Sequence, residues 1–116
     1  IFIDAELPPQ YLTPEILDII DIFFFYGAEN QELTFLSCNV PICDALLVGK
    51  KETQHLKLVF DCGKYKIPAM YWSAGNKLNS EIFVGKRYNV IYSMNRNYFN
   101  GIATQQLIIK DIELSN

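Results

Sequence analysis

The chain has 116 residues, of which 50% are hydrophobic, and a formal net charge of −3. This length and composition predict one domain with a modest core and leave little room for a second. The apolar residues occur in short runs, so we expect no membrane association and a cytoplasmic protein. The cysteines Cys38, Cys43 and Cys62 form no C-x-x-C pair and are expected to be reduced, buried thiols.

Acidic and basic residues are divided along the chain. Residues 1–49 contain eight acids and no lysine or arginine, whereas residues 50–116 contain all ten basic residues and five acids. We interpret this division as an acidic packing or linker element followed by a basic module suited to phosphate. The simpler alternative is a chance imbalance on solvated faces.

The first part of the chain, residues 1–12, contains two consecutive prolines, which neither a helix nor a strand ladder accommodates. We therefore expect a strand remnant and a linker that leave a preceding core domain.

A helix is predicted to begin at Thr13, where a hydroxyl N-cap precedes Pro14 at the first helical position and a carboxylate in the first turn. It should run to about Tyr26 and end at Gly27, because glycine favours the left-handed conformation of helix ends. Its apolar residues cover more than one stripe. Residues 13–33 are therefore expected to form a helix and turn that pack on a barrel or on a missing core domain.

The periodicity then shifts towards two, which is typical of strands. The predicted strands are Thr34–Val48, Gln54–Cys62, Tyr65–Ser73, Arg87–Met94 and Thr104–Leu114. The turns between them fall at Gly49–Lys51, Cys62–Lys64, Gly75–Gly85 and Asn95–Gly101. Five strands, the first long and bent, predict a mainly β fold in which residues 34–116 form a five-stranded Greek-key OB-fold barrel after one N-terminal α-helix. An SH3-like barrel or a small sandwich would give a similar strand count.

Catalytic and metal sites are not predicted. The only histidine, His55, has no cysteine or acid placed to complete a zinc set, and no phosphate-binding glycine motif is present. The acids are scattered, so no two-metal centre is indicated. We expect this fragment to be non-catalytic and to hold no cofactor of its own.

Basic residues beside aromatic ones are what single-stranded nucleic acid requires, because cations meet the backbone and flat rings stack with unpaired bases. OB-folds bind on the outer face of strands two and three, with the first and last inter-strand loops. The predicted nucleic-acid-binding residues are Lys50, Lys51, His55, Lys57, Lys66, Arg96 and Tyr98.

Strand alternation predicts which side chains face outwards. In the second strand Leu56, Leu58 and Phe60 should face the core, which turns the residues between them, including His55 and Lys57, to the outside. In the third strand the charge of Lys66 turns its set outwards, which would expose Trp72. The sequence leaves open which of these rings is buried.

Each of these residues also has a structural interpretation. Core packing is favoured over stacking for Phe83, Tyr88 and Tyr92, and is about as probable as stacking for Tyr71, Trp72 and Tyr98. Lone lysines on strands also discourage edge pairing, and a lone histidine is more often structural than functional.

Several stretches, in the same order, resemble the RecJ-type exonucleases in the region that follows their phosphoesterase domains. They are Ile3–Leu7 with the Thr13-Pro14-Glu15 helix start, Tyr26–Phe35, Gly49 with His55–Leu58, and Tyr92–Gly101 with Gln105–Ile112. The second stretch is similar to the family's F-G-x-G-N-P-x-P-x-F turn. In it Gly27, Asn30 and Phe35 agree, whereas other residues stand in place of a glycine and two prolines, at Glu29, Gln31 and Leu33.

The resemblance implies a parent protein that degrades single-stranded DNA from the 5′ end in DNA repair and recombination. It implies Mn²⁺ or Mg²⁺ held by Asp and His residues of DHH-type catalytic domains, none of which maps to this sequence. It also implies that the barrel guides the DNA strand towards that centre. The expected partners are single-stranded DNA, the catalytic DHH-type domains of the same parent chain, and a helicase or single-strand-binding protein.

Two other hypotheses compete with this one. The chain could be an interaction or structural module that docks on the catalytic core or on another repair protein with little DNA contact, as its acidic, apolar helix suggests. A third hypothesis is an unrelated small β-barrel that binds RNA or protein.

Overall fold

The computed structural model describes residues 2–26 and 33–115 and, within them, all side chains except those of residues 21–26, 96–99 and 103–104. Its strands are β1 (Ala5–Glu6), β2 (Phe35–Lys50), β3 (Thr53–Asp61), β4 (Lys66–Tyr71), β5 (Arg87–Phe99) and β6 (Ile102–Leu114). The helix α1 spans Pro14–Tyr26, and short 3₁₀ helices span Pro9–Tyr11 and Gly75–Lys77. None of the helices in the described residues is long and apolar enough to span a membrane.

Strands β2 to β6 close into a five-stranded barrel in the order β2-β3-β4-β6-β5, and β5 returns to β2. Four of the pairings are antiparallel, whereas β4 and β6 run parallel. A closed sheet leaves few edges to protect. The predicted mainly β OB-type barrel with one N-terminal helix is confirmed.

Strand β2 is shared between two neighbours because it bends. Its first half pairs with β5 and its second half with β3, and the register shifts between Ser37 and Val40 and again between Ile42 and Asp44. Asn39, in this bend, has a φ of 60°, a left-handed conformation that asparagine tolerates better than most residues. Register irregularities of this kind let a strand turn a barrel corner.

The barrel interior holds one cluster of apolar side chains, to which every strand from β2 to β6 contributes. Inward-facing residues such as Leu58, Phe60 and Leu107 are at most 1% exposed. The segment before β2 joins the same cluster through Leu12 and Leu17, the latter on α1. The N-terminal segment thus completes the barrel core.

Two kinds of contact hold this N-terminal segment in place. Strand β1 pairs in parallel with the start of β2, and the carboxylate of Asp4 accepts a hydrogen bond from Thr34 N at 2.7 Å.

At the start of α1, Ile16 N donates to Thr13 Oγ1 at 3.2 Å. The predicted N-cap is confirmed, and the helix extends to Tyr26, the last residue described before position 33. The predicted stop at Gly27 lies outside the described residues.

A buried hydroxyl pair links this segment to the barrel. Ser37 Oγ donates to Leu7 O at 2.6 Å and lies 2.8 Å from the Tyr92 hydroxyl. Since the serine proton is used by Leu7, Tyr92 is the donor to Ser37. Burial raises the pKa of the Tyr92 phenol well above its ordinary value, so this donor keeps its proton.

The three aromatic residues expected in the core differ in how deeply they are buried. Tyr88 and Tyr92 are buried, as predicted. Phe83 is only half-buried, and its ring lies 4.7 Å from the Lys86 Nζ. Tyr88 also accepts a hydrogen bond from Phe83 N at 2.7 Å, which ties the segment after β4 to the start of β5.

The predicted turn at Asn95–Gly101 is much shorter in the structure. Strand β5 continues to Phe99 and pairs with β6 along its whole length, so that only Asn100 and Gly101 remain in the turn. Both have positive φ values, 51° and 77°, as in the tight hairpin turns that favour Asn-Gly. The run of polar residues before this pair resembled a loop, but the Asn-Gly turn allows a continuous ladder.

The three cysteines were expected to be buried, but only Cys62 is. Burial, followed by the nearby Asp61 and Cys43, raises the pKa of Cys62 to about 12, so it is a protonated core residue at neutral pH. Cys38 and Cys43 are half-buried because they alternate with inward-facing residues of β2.

Substituting Tyr92→Phe tests the buried hydroxyl pair. We expect the free energy of unfolding in urea to fall by about 1–2 kcal/mol, because Ser37 then loses its hydrogen-bond donor inside the core. Tyr11→Phe is the matched control, since Tyr11 is 57% exposed, and should change stability by less than about 0.5 kcal/mol. Equal effects in the two variants would contradict the assignment.

Candidate nucleic-acid interface

Strands β3 and β4 present one outer surface of the barrel. Along β3, Leu56, Leu58 and Phe60 are buried, and the alternating residues His55, Lys57 and Val59 face outwards, as predicted. The surface, called here the β3–β4 face, is made by His55, Lys57 and Val59 of β3 together with Lys66, Pro68 and Met70 of β4 and Trp72 just beyond it.

The structure shows which side chains of β4, and of Trp72 beyond it, are exposed. Lys66 is exposed and Ile67 and Ala69 are buried, so the charged set does face outwards. Trp72, which continues this set, is 53% exposed, whereas Met70 in the middle of the face is only 8% exposed. Tyr71 is half-buried. The face therefore has a closely packed centre and an aromatic ring at one end.

Trp72 does not stand alone at that end. Its ring lies 4.8 Å from the His55 ring, centroid to centroid, and the two planes meet at 74°. His55 Nδ1 accepts a hydrogen bond of 2.8 Å from Ser73 N, which ties the imidazole to the residue directly after the indole. Ser73 has a φ of 59°, which turns the chain sharply directly after the indole.

The turn between β2 and β3 lies beside this aromatic pair. Lys50 and Lys51 are both exposed there, and Val48 of β2 is paired with His55. Gly49 has a φ of 102°, and an added Cβ would lie 2.8 Å from Thr53 O and 3.1 Å from the His55 ring. Only glycine permits this close approach of the turn to the imidazole.

A polar cleft of about 420 Å³ opens between this turn and the segment that follows β4. Its lining residues are Lys51, Glu52, Thr53, Gln54, Ser73 and Asn76. The two walls meet where Gly75 packs on Gln54, since a Cβ at position 75 would lie only 2.6 Å from Gln54 Cβ. The cleft is thus part of the fold and borders the aromatic pair.

Lys57 occupies the centre of the face. It is exposed, is paired with Leu46 of β2 on one side and Met70 of β4 on the other, and has no ion-pair partner among the described residues. Leu46 is 58% exposed, so an apolar surface lies beside this free cation. Such a mixture suits a ligand that carries both phosphate and flat rings.

Lys66 lies at the opposite end of the face from Trp72. Its ammonium is 3.8 Å from the Asp61 carboxylate, and exposed pairs of this kind contribute little energy. Because β6 runs parallel to β4, with Leu107 opposite Ala69, the β5–β6 hairpin extends towards the Lys66 end. The side chains of Arg96 and Tyr98, predicted on that hairpin, lie outside the described residues.

The division of charge along the chain is not preserved in space. Asp44, from the acidic part of the sequence, is paired with Val59 at the edge of the β3–β4 face, and Asp61 and Glu52 lie at its two ends. The face therefore carries both signs of charge, and Lys50, Lys51 and Lys57 have no ion pair within the part of the chain that the structure describes. The structure brings together Lys50, Lys51, His55 and Lys57, and it adds Trp72, which sequence reasoning had left undecided.

Within the described residues, no group of three or more His, Cys, Asp or Glu side chains is placed to hold a metal ion. The acids of the β3–β4 face are separated along different strands. No metal-dependent step is derived for this chain.

The family model described as RecJ OB domain matches residues 3–111. The chain belongs to the RecJ OB domain family. No curated protein sequence matches it. A RecJ structure from Thermus thermophilus, in complex with Mn²⁺, matches with a TM-score of 0.60 and 19% identity over 100% of this chain and 16% of that one. This RecJ OB domain thus spans about a sixth of the Thermus RecJ chain.

Two other structures share the fold of this RecJ OB domain. The mitochondrial single-stranded DNA binding protein Rim1 from S. cerevisiae matches with a TM-score of 0.51 and 16% identity over 72% of this chain and 94% of that one. A putative aspartyl-tRNA synthetase from Leishmania major matches with a TM-score of 0.53 and 12% identity over 94% of this chain and 20% of that one. At these identities the likeness concerns the fold alone.

Substituting Gly75→Ala tests the contact that shapes the cleft. The added methyl group would overlap Gln54, including its backbone. We therefore expect the free energy of unfolding in urea to fall by roughly 1–3 kcal/mol. Asn76→Ala, an exposed neighbour, should stay within about 0.5 kcal/mol of the parent sequence. A stable Gly75→Ala variant with unchanged Trp72 fluorescence would show that the two walls of the cleft are not in close contact.

Proposed function

We propose that this domain binds single-stranded DNA on the β3–β4 face and positions it for a RecJ-like 5′→3′ exonuclease. The observation that carries the proposal is that three exposed lysines, Lys57 on the β3–β4 face and Lys50 and Lys51 on the turn beside it, accompany the exposed Trp72 ring. Lysines contact the phosphate backbone, and an accessible ring stacks with a base that has no partner strand. The fold supports this reading, because OB barrels bind oligonucleotides on the corresponding face.

The catalytic chemistry belongs, in this proposal, to DHH-type domains of a longer parent chain. One RecJ structure from Thermus thermophilus is a complex with Mn²⁺ and another is a complex with Mg²⁺, and we assign the same ions to the parent's catalytic domains. The domain described here would be non-catalytic. We also propose residues 1–12 as the connection from the preceding domain, residues 13–33 as the packing helix and turn, and residues 34–116 as the DNA-binding barrel.

The cellular context follows from the same proposal. A single-strand exonuclease acts in DNA repair and recombination, and we propose a cytoplasmic location for the parent. A helicase that supplies single strands, or a single-strand-binding protein that covers them, would be its partner.

Binding should depend on salt to a modest degree. Each phosphate neutralised on single-stranded DNA contributes about −0.7 to the slope of log affinity against log salt, so three lysines predict a slope of roughly −2. Lys57→Ala should reduce this slope by about 0.7 and weaken binding about fivefold at 0.1 M salt. The measurement is the fluorescence anisotropy of a labelled oligothymidine at several salt concentrations.

Lys86→Ala is the matched control, because it also removes one exposed lysine but lies before β5, outside the β3–β4 face. It should leave both the affinity and the slope close to those of the parent sequence. Absence of binding at low salt, or a slope near zero, would contradict direct contact with the DNA strand.

The docking module remains a second candidate because of one observation on α1. Ile19 is 61% exposed, although Leu17 on the same helix is buried in the barrel core. Ile16, three residues before Ile19 and thus beside it on the helix surface, is only half-buried, so Ile19 belongs to an apolar patch suited to contact another domain. In the parent chain, this function is favoured if Lys57→Glu combined with Lys66→Glu leaves exonuclease activity unchanged while Ile19→Asp abolishes it.

A further inference from the structure

We propose that Trp72 is the residue by which this domain selects single-stranded over double-stranded DNA, with His55 as the positioning residue that holds the indole ready for stacking. The inference rests on the proposed function and deepens it. It assigns one nucleobase to the exposed indole and the adjoining nucleotide to the polar cleft beside it.

Trp72 is exposed and is also in contact with a neighbouring ring. An exposed tryptophan alone is unremarkable, since single apolar residues occur on every protein surface. Here about half of the side chain is in solvent, at 53% exposure, while the His55 ring contacts it at 4.8 Å. The indole is therefore held in place without being covered.

His55 is itself held on two sides. Its Nδ1 accepts the 2.8 Å hydrogen bond from Ser73 N, in the residue directly after Trp72. Its ring also packs closely on Gly49, where an added Cβ would lie 3.1 Å from His55 Cδ2. The imidazole thus links the β2–β3 turn to the turn that carries the indole, and it reduces the side-chain freedom that Trp72 would lose on binding.

The polar cleft lies beside the position that we propose for the stacked base. Ser73 and Gln54, the chain neighbours of Trp72 and His55, both line the polar cleft. Hydroxyl and amide groups there suit the edge of a base or a sugar. Glu52 and Lys51 both line the cleft, so their charges offset each other there, whereas Lys57 lies outside this lining, two residues along β3 from His55. Backbone phosphates are therefore expected on the Lys57 side of the indole and base edges on the cleft side.

Selection against duplex DNA follows from the chemistry of stacking. A base inside a duplex already has both faces covered by its neighbours, and exposing one requires unstacking energy of a few kcal/mol. An unpaired base offers its face to the indole at no such cost. Lysine contacts, in contrast, are available to both kinds of DNA.

The test uses the fact that Trp72 is the only tryptophan of the chain. Titration with unlabelled oligothymidine should quench the intrinsic fluorescence of Trp72, whereas a duplex of equal length should quench it only weakly. In a separate anisotropy assay with labelled DNA, Trp72→Ala should weaken single-strand binding by roughly five- to 150-fold, the range found for base–aromatic stacking. Its salt slope should stay unchanged, unlike that of Lys57→Ala, and Trp72→Phe should restore part of the affinity.

His55 is tested by two variants that separate its contacts. His55→Asn retains an acceptor for Ser73 N but loses the ring contact with Trp72, and His55→Ala loses both. We expect the affinity for single strands to fall from the parent sequence to His55→Asn and further to His55→Ala. Time-resolved fluorescence anisotropy of the free protein should show that the indole rotates more freely in both variants. Urea unfolding identifies any variant that fails to fold, and a folded Trp72→Phe variant keeps the stacking test valid.

The outcomes distinguish this inference from the proposed function. If the parent sequence does not bind labelled single strands at all, the proposed function is wrong. If it binds them but Trp72→Ala binds equally well, with no fluorescence change in the parent sequence, then stacking on Trp72 is wrong and the proposed function stands. Equal affinity of both His55 variants and the parent sequence would overturn the positioning role.

Discussion

The bend of β2 is the constraint on which the rest of this structure depends. One continuous strand pairs first with β5 and then with β3, and two register shifts around Asn39 and Cys43 make the turn from one partner to the other. Only this bend allows β3, β4, β6 and β5 to close into a barrel with a single interior. With β3 and β4 held in that order, alternate residues must face outwards, and the β3–β4 face follows.

Much of the fold could be predicted because local signals agreed with the final arrangement. The helix start at Thr13 depends on three adjacent residues, and the inward set Leu56, Leu58 and Phe60 depends only on strand alternation. The length of the β5–β6 hairpin was misjudged, because polar residues before Asn100 resemble a loop in sequence. Their strand conformation comes from twelve paired positions with β6, a non-local effect.

The candidate site was predictable in its location but not in its composition. Alternation placed Lys57 and His55 on the outside, yet the contact between His55 and Trp72 joins residues 17 positions apart and exists only because β3 and β4 pair in this register. The pairing of β2 with β3 likewise placed Asp44 beside Val59, so that an acidic residue entered a face expected to be basic. Charge counted along the chain therefore overstated the positive character of the surface.

In the proposed function, the mixed charge of the face gives different tasks to its residues. The few lysines that have no ion pair among the described residues would attract any nucleic acid modestly, and the exposed ring would distinguish unpaired bases from paired ones. The central claim is that both act on one surface. The most direct measurement is a map of amide chemical-shift changes in this chain on addition of oligothymidine. The account predicts changes concentrated at residues 50–57 and 66–73 and at the Trp72 indole N–H, whereas changes confined to α1, or absent altogether, would contradict it.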